Sequence, residues 1–385
     1  MNPERKGPIV PFNIPALTGR ESEYVRQVFD LGKFSGNREF TRRCTSWFEK
    51  RLGTERALVT SSGTHALEMS ALLADIRPDD EVITASFGFP STANAFALRG
   101  ARLVFIDVRA DTMNLDEALL EEAVTERTRA IVVTHYAGVA CEMDSINRIA
   151  SEHGVTVVED AAHAILATYR DRPCGTLGRF GCLSFHETKN IHCGEGGAIL
   201  INEAGDVGRA EIVQEKGTDR ARFYRGQVDK YSWVDLGSSY ILSELGAAFL
   251  LAQLEQAEAI MADRMNSWNR YQRELRPLAD EGRIALPVVP ETCSHNAHCF
   301  YLKARDLAER DALMTYLTER GVGAVFHYVP LHSAAAGRRY GRFQGEDVVT
   351  TRDSERLLRM PLFFGLRPEQ IDRVVELITA FYRRG

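Results

Sequence analysis

The sequence predicts an α/β protein: a mostly parallel sheet of seven strands flanked by helices, followed by a smaller α+β unit. Three observations lead there. Short β-branched runs alternate with helical patterns through the first 200 residues. Several of these runs are almost continuously apolar, as strands buried on both faces must be. After residue 236 the alternation gives way to longer helical stretches and then to a mixed region.

In chain order, the strand candidates are Arg56–Thr60, Glu81–Ala85, Leu103–Val108, Ala130–His135, Thr156–Glu159, Cys182–Phe185 and Ala198–Ile201. Helical patterns between them cover Thr64–Leu73, Ser91–Leu98, Asp116–Ala123 and Asp144–His153. Leu242, Leu245, Phe249 and Ala252 then share one helical face, and a polar helix runs to about Glu274 with Pro277 beyond it. In the smaller unit, Ala297–Lys303 and Val322–Tyr328 read as strands, and Asp311–Arg320 and Pro368–Tyr382 as helices. The division expected is 12–255 for the large domain and 256–385 for the small one, with the N-terminal residues packing back on the latter.

Composition narrows the function classes. The net charge is −6, from 47 basic and 53 acidic residues, which points to neither nucleic acid nor a membrane surface. There is no apolar run of about 18 residues to span a bilayer, and no signal-peptide pattern at the start. The seven cysteines are scattered without a C-x-x-C pair, which fits a reduced, cytoplasmic protein. Arginines number 40 and lysines only 7, so few amines are available for chemistry.

Three segments carry the chemical signal. Val157-Val-Glu-Asp160-Ala-Ala-His163 ends a strand in a carboxylate, at the sheet edge where α/β proteins bind ligands. Ser184-Phe-His-Glu-Thr-Lys189-Asn190 leads from a strand into a loop bearing a lysine, and Gly194-Glu-Gly-Gly197 follows it. A lysine amine forms an imine with an aldehyde. A pyridine ring that is to accept electrons is kept protonated by a neighbouring carboxylate. Lys189 and Asp160 on successive strand ends therefore suit one pyridoxal phosphate (PLP). Thr60-Ser-Ser-Gly63-Thr64 runs from a strand into a helix and offers backbone N–H groups to a phosphate; Ser184 adds a hydroxyl. Ser86-Phe87-Gly-Phe89-Pro supplies an aromatic platform. Each signal is weak alone; in this order they reinforce one another.

The chain resembles the DegT/DnrJ/EryC1/StrS family of nucleotide-sugar aminotransferases. The resemblance rests on Ser62-Gly-Thr-His-Ala-Leu, Val158-Glu-Asp-Ala-Ala-His, Ser184-Phe-His-Glu-Thr-Lys-Asn, Gly194-Glu-Gly-Gly, Phe326-His-Tyr-Val-Pro-Leu-His332 and Arg359-Met-Pro-Leu-Phe. Phe40-Thr-Arg-Arg-Cys, Ser91-Thr-Ala-Asn-Ala-Phe, His135-Tyr-Ala-Gly-Val-Ala-Cys-Glu-Met-Asp and Arg225-Gly-Gln-Val-Asp-Lys-Tyr-Ser-Trp bring it nearest to the enterobacterial-type dTDP-4-dehydro-6-deoxy-D-glucose 4-aminotransferases. The resemblance implies the type I, aspartate aminotransferase-like PLP fold. It also implies transfer of an amino group from L-glutamate, through pyridoxamine phosphate, to carbon 4 of a dTDP-4-dehydro-6-deoxyhexose. Other keto-sugar nucleotides, a 3-keto hexose or a 4-keto pentose, stand as the alternative. A sugar dehydratase is disfavoured, because such relatives replace the Schiff-base lysine with histidine. A non-catalytic regulator with this fold is disfavoured by the intact lysine, aspartate and glycine turn.

By resemblance, Lys189 holds the cofactor as a Schiff base and shuttles the proton. Asp160 pairs with the pyridine nitrogen and His163 contacts the ring hydroxyl. Gly63, Thr64 and Ser184 bind phosphate, and Phe89 rather than Phe87 stacks on the ring. His327 and Tyr328 face the sugar, and Arg225 and Lys230 meet the diphosphate. Many relatives carry Gly-x-Asn-x-Arg before the long helix, with an Asn that reaches the neighbouring subunit's cofactor phosphate. Here Gly237-Ser-Ser239-Tyr-Ile241 stands instead, leaving Ser239 as the hydroxyl donor. The family builds its sites from two chains, so a homodimer, or a tetramer, is implied. No metal is expected: the spacing in Cys293-Ser-His295-Asn-Ala-His298-Cys299 does not match a common zinc pattern.

Overall fold

The computed structural model of the chain describes residues 9–383. Among these, one eight-stranded sheet dominates. Its strands are β1 (Arg56–Thr60), β2 (Glu81–Ala85), β3 (Arg102–Ile106), β4 (Thr128–Thr134), β5 (Thr156–Asp160), β6 (Phe180–Ser184), β7 (Gly197–Ile201) and the short β8 (Gly341–Phe343). They lie side by side in the order β1, β7, β6, β5, β4, β2, β3, β8. Only β7 runs against its neighbours, pairing antiparallel with both β1 and β6; the other pairs are parallel. The seven predicted strands are thus present, and β8 adds an eighth at the β3 edge. Its three residues are too few to show an alternating or β-branched pattern in sequence.

The topology decides where ligands go. In the β1–β7 and β6–β7 registers, Thr60 and Ser184 both face Gly197. The carboxyl ends of β1, β4, β5 and β6 and the start of β7 therefore share one edge. Both faces are covered, since buried apolar residues form one cluster on each side. Val59, Ile83, Val104, Ile131 and Leu200 belong to the first and Leu58, Val82, Phe105, Val132 and Ile199 to the second. Alternate residues of a strand point to opposite faces, which is why a strand covered on both sides reads as continuously apolar.

The C-terminal part has its own core around Tyr271, Leu275, Phe300, Leu313, Leu358, Val374 and Ile378. Val10 belongs to this cluster and forms a parallel bridge with Val322. Residues 1–8, which the expected return of the N-terminus also covers, lie outside the described residues.

Five expectations need correction here. Val322–Tyr328 is extended but forms only isolated bridges, Val10–Val322 and Val325–Arg359. The strand that pairs with Phe300–Lys303 is Leu357–Met360. Ala297 itself has a positive φ of 51°, which is why that strand starts only at Phe300. The long helical stretch is two helices, Glu244–Leu254 and Ala257–Asp280, separated at Glu255 and Gln256. The first is buried nearly all round, with Ala247, Ala248, Leu250 and Leu251 inside as well as Ala252, so no single stripe describes it. Pro277 lies inside the second helix, in its last turn, where the helix ends three residues later. Asp116–Ala123 splits into a 3-10 turn, Glu117–Leu119, and one helical turn, Leu120–Ala123. Among the described residues no helix is long and apolar enough to cross a membrane.

Candidate active site

A cavity of about 750 Å³ opens at the shared carboxyl edge of the sheet. Asp160, the last residue of β5, and Lys189, in the loop after β6, both line it. Asp160 is buried and held on both oxygens: Thr92 Oγ1 donates to Oδ2 at 2.5 Å and the Ala162 N–H donates to Oδ1 at 3.1 Å. Behind it, Glu159 accepts from the N–H groups of Gly175, Leu177 and Gly178 at 2.6–2.7 Å and from His135 Nε2 at 2.8 Å. That buried carboxylate pins the turn that leads into β6 and so ties it to the end of β5.

Burial lowers the pKa of Lys189 to about 8. The negative charge of Asp160 opposes this shift and the positive charge of Arg359 adds to it. A lysine so placed spends an appreciable fraction of its time as the free amine near neutral pH, the form that attacks a carbonyl.

The loop that carries Lys189 is tied to the glycine turn. The Glu187 N–H donates to the Gly194 carbonyl at 2.9 Å and the Phe185 N–H to the Gly196 carbonyl at 2.8 Å. Gly194 has φ of 83°, a left-handed conformation that suits glycine. Gly197 has another reason: a Cβ there would stand 2.5 Å from the Gly63 nitrogen. A Cβ on Gly63 would in turn meet the Ser184 Cβ at 2.8 Å. Two glycines thus let three chain segments close around one concave patch.

That patch fits a phosphate. Gly63 and Thr64 open the helix Gly63–Leu73, whose cap Ser62 accepts from the His65 N–H at 3.1 Å. Thr64 Oγ1 lies 2.7 Å from Ser91 Oγ, near the start of a second helix, Pro90–Ala97. Free N–H groups at a helix start, with three hydroxyls beside them, are an anion site. Ser91 and Thr92 were not singled out in sequence as ligand residues; a Pro-Ser-Thr run that opens the helix after β2 is the signal that points to them.

Aromatic and imidazole rings form the opposite wall. His163 stacks on His298 with centroids 4.0 Å apart, and His327 on Tyr328 at 3.6 Å. Burial pushes the pKa of His163 well below its usual value, as do the nearby charges of His298 and Lys189, so it is neutral. His163 Nε2 lies 3.2 Å from the Tyr328 hydroxyl, whereas its Nδ1 is buried with no partner among the described residues. An imidazole that accepts from Tyr328 carries its proton on Nδ1, free to donate to a ligand oxygen. His298, discounted above as a metal ligand, is thus part of this wall, and its Nδ1 meets Asn190 Oδ1 at 3.0 Å. His295 packs on Trp268, and among the described residues no group of His, Cys, Asp and Glu is arranged to hold a metal. Phe89 lines the cavity; Phe87 is fully buried, edge-on to Tyr136. Tyr136 reaches His327 Nδ1 at 2.8 Å.

Three predicted residues lie elsewhere. Arg225 is exposed and pairs with Glu211 at 2.7 Å, Lys230 is exposed, and Ser239 is exposed and bridges to Glu215. None of them lines the cavity of its own chain. They sit on the 215–241 segment, away from the residues that line the cavity.

The chain matches the DegT/DnrJ/EryC1/StrS aminotransferase family over residues 15–379. It belongs to that family. Among solved structures, the aminotransferase TlmJ from Streptoalloteichus hindustanus is 29% identical, with a TM-score of 0.89 over 98% of this chain and 99% of that one. DesV from S. venezuelae, solved with a ketimine intermediate, is 28% identical, with a TM-score of 0.88 over 98% of this chain and all of that one. The fold is also that of Spr1654 from Streptococcus pneumoniae in its PLP form, at 23% identity and a TM-score of 0.87 over 97% and 99% of the two chains. This DegT-family protein is therefore an aminotransferase, and pyridoxal phosphate is the cofactor that its sequence calls for. The cavity suits that cofactor: a glycine-walled anion cradle, a buried carboxylate, an unpartnered imidazole nitrogen and an amine of lowered pKa converge on it.

Proposed function

We propose that this aminotransferase moves an amino group from L-glutamate to carbon 4 of a dTDP-4-dehydro-6-deoxyhexose, giving a dTDP-4-amino-4,6-dideoxy sugar in the cytoplasm. The observation that carries the reading is that Lys189 and Asp160 line one cavity at the sheet's carboxyl edge. The substrate class comes from the segments that resemble the 4-aminotransferases, Arg225–Trp233 and His135–Asp144 among them.

When bound, the cofactor supplies an aldehyde that takes up amines and a protonated ring that draws electrons from the adjoining carbon. The rest falls to the chain. Lys189, with its pKa near 8, anchors that aldehyde and then moves a proton on and off the reacting carbon. Asp160, clamped by Thr92 and Ala162, keeps the ring nitrogen protonated. His163 donates from Nδ1 to the ring oxygen. Gly63, Thr64 and Ser184 hold the phosphate, Phe89 covers the ring, and His327 and Tyr328 orient the sugar. Arg225, Lys230 and Ser239 serve the site of the other chain in a dimer. Because Lys189 works from one face, the product's configuration depends on how the sugar is turned, and the galacto product is the expected one.

The test is direct. Incubate the protein with PLP, L-glutamate and a panel of 4-keto and 3-keto sugar nucleotides, and assign products by proton coupling constants. An axial 4-amine from the dTDP-4-dehydro-6-deoxyhexose is expected. Turnover of only 3-keto or pentose substrates would replace this reading with the alternative one.

A further inference from the structure

His327 and Tyr328 sit on a span of chain that its own backbone does little to hold. Val325 and Arg359 exchange backbone hydrogen bonds at 2.8 and 3.2 Å, and the next backbone N–H to find a partner is that of Leu331, which donates to the Ser86 carbonyl at 2.8 Å. Among the described residues, no backbone N–H from Phe326 to Val329 has a protein partner, and Pro330 has none to offer. The far anchor is made at His332. Its N–H donates to Ser86 Oγ at 3.2 Å, its Nδ1 lies 2.6 Å from the same oxygen, and its Nε2 lies 3.3 Å from Asp347 Oδ2. A carboxylate takes a donor, so in the neutral ring the proton is on Nε2 and Nδ1 accepts from the Ser86 hydroxyl. Ser86 is fully buried just after β2, and Asp347 is itself tied by the Thr351 N–H at 3.0 Å. Leu331 is buried in the same core cluster as Val82 and Phe105. The span thus runs from the C-terminal part to the large sheet, and His332 fastens its second end.

We infer that His332 is the positioning residue that sets His327 and Tyr328 against the sugar. The inference rests on the proposed sugar-facing role of those two side chains and adds what holds them there. With no backbone bond along residues 326–330, the two ends decide the course of the span. One end is the Val325–Arg359 bridge to the strand Leu357–Met360. The other is the file of Ser86, His332 and Asp347, drawn from positions 246 apart in the case of Ser86 and His332. A residue that only filled space would need no partner on either ring nitrogen; His332 has one on each, besides the Phe343 ring at 4.6 Å. The effect of loosening it is one-sided. Ser86 keeps its own support, because its N–H donates to the Ile106 carbonyl at 3.1 Å, so the loop that leads to Phe89 stays in place. Lys189, Asp160 and Gly63 stand on other elements of the large sheet. What moves is the pair of rings on the span, and with them the seat of the sugar.

Two measurements test this. First, on the holoenzyme, His332→Ala should raise the KM for dTDP-4-dehydro-6-deoxy-D-glucose roughly 10-fold and leave that for L-glutamate within about twofold of the wild type. His332→Asn, whose side-chain carbonyl accepts from Ser86 as Nδ1 does, should recover most of the loss. Ser86→Ala should match His332→Ala, and the double variant should be no worse than either, because both remove the same bond. Second, on the cofactor-free chain, hydrogen exchange read on overlapping peptides by mass spectrometry should show the Leu331 amide exchanging about 10-fold faster in His332→Ala, with the Val325 amide unchanged. A Leu331 amide as protected as in the wild type would overturn the assignment, and so would an equal rise in both KM values. If His332→Ala does not fold, Ser86→Ala, which deletes one oxygen, carries both measurements. Failure of the substrate reading looks different: the wild type would then leave this sugar nucleotide unreacted, and the exchange comparison would still decide whether His332 is the anchor.

Discussion

A buried amine holds its proton less tightly than one in water, and Lys189 shows the consequence. Its pKa of about 8 lies well below the ordinary lysine value. In the cofactor-free protein, acylation of Lys189 should rise through pH 8, read by peptide mass spectrometry after brief labelling. The sign for stability follows. The unfolded lysine binds its proton more tightly, so burial of the cation costs stability below pH 8. That cost is relieved as pH climbs toward the unfolded value. Lys189→Ala should cut turnover by at least about a thousandfold and Asp160→Asn by roughly a hundredfold, with circular dichroism unchanged. Near-wild-type rates in either would remove that residue from its role. Lys189, Asp160 and His163 could be read from sequence because each sits within a few positions of a strand end. Thr92 and His298 could not, because their partners are far away in sequence: Thr92 meets Asp160 68 positions on, and His163 and His298 stack across the fold. Only the folded chain brings them together.

Elements were legible where one residue pattern served one environment. The runs that became β1 to β7 are flanked by core on both faces, so their apolar continuity carried the signal. The pattern failed where contacts set the structure. The helix Glu39–Leu52 begins without a capping side chain of its own. Instead Glu244, about 200 residues later, accepts from the N–H groups of Phe40 and Thr41 at 2.7 and 3.1 Å and from the Thr41 hydroxyl at 2.5 Å. A carboxylate at a helix start is favoured by the unpaired N–H groups there. Glu244→Ala leaves those buried donors unpaired, and a loss of about 3 kcal/mol is expected, measured by urea unfolding. A change under 0.5 kcal/mol would mean that water replaces the carboxylate at no cost.

At the scale of the whole molecule, Tyr224, Tyr231, Trp233, Val234 and Leu236 lie exposed within a dozen residues, and Trp233 is 74% exposed. Exposed apolar clusters of this kind mark contact surfaces. The same segment carries Arg225 and Lys230, which do not line their own chain's cavity. A homodimer in which this segment meets the partner's site is the expected state. Trp233→Arg should shift light scattering toward the monomer mass and lower activity in the same proportion; a fully active monomer would rule out a shared site. One earlier feature bears on how such proteins can be altered. The ring wall joins His163 from the sheet to His298, His327 and Tyr328 from the C-terminal part. A chimera that exchanges only the second half of the chain with a relative would pair imidazoles that have not been matched. On the proposed roles of these rings, sugar preference and the seat of the cofactor are inherited together, and a graft that keeps one must carry the facing rings of the other.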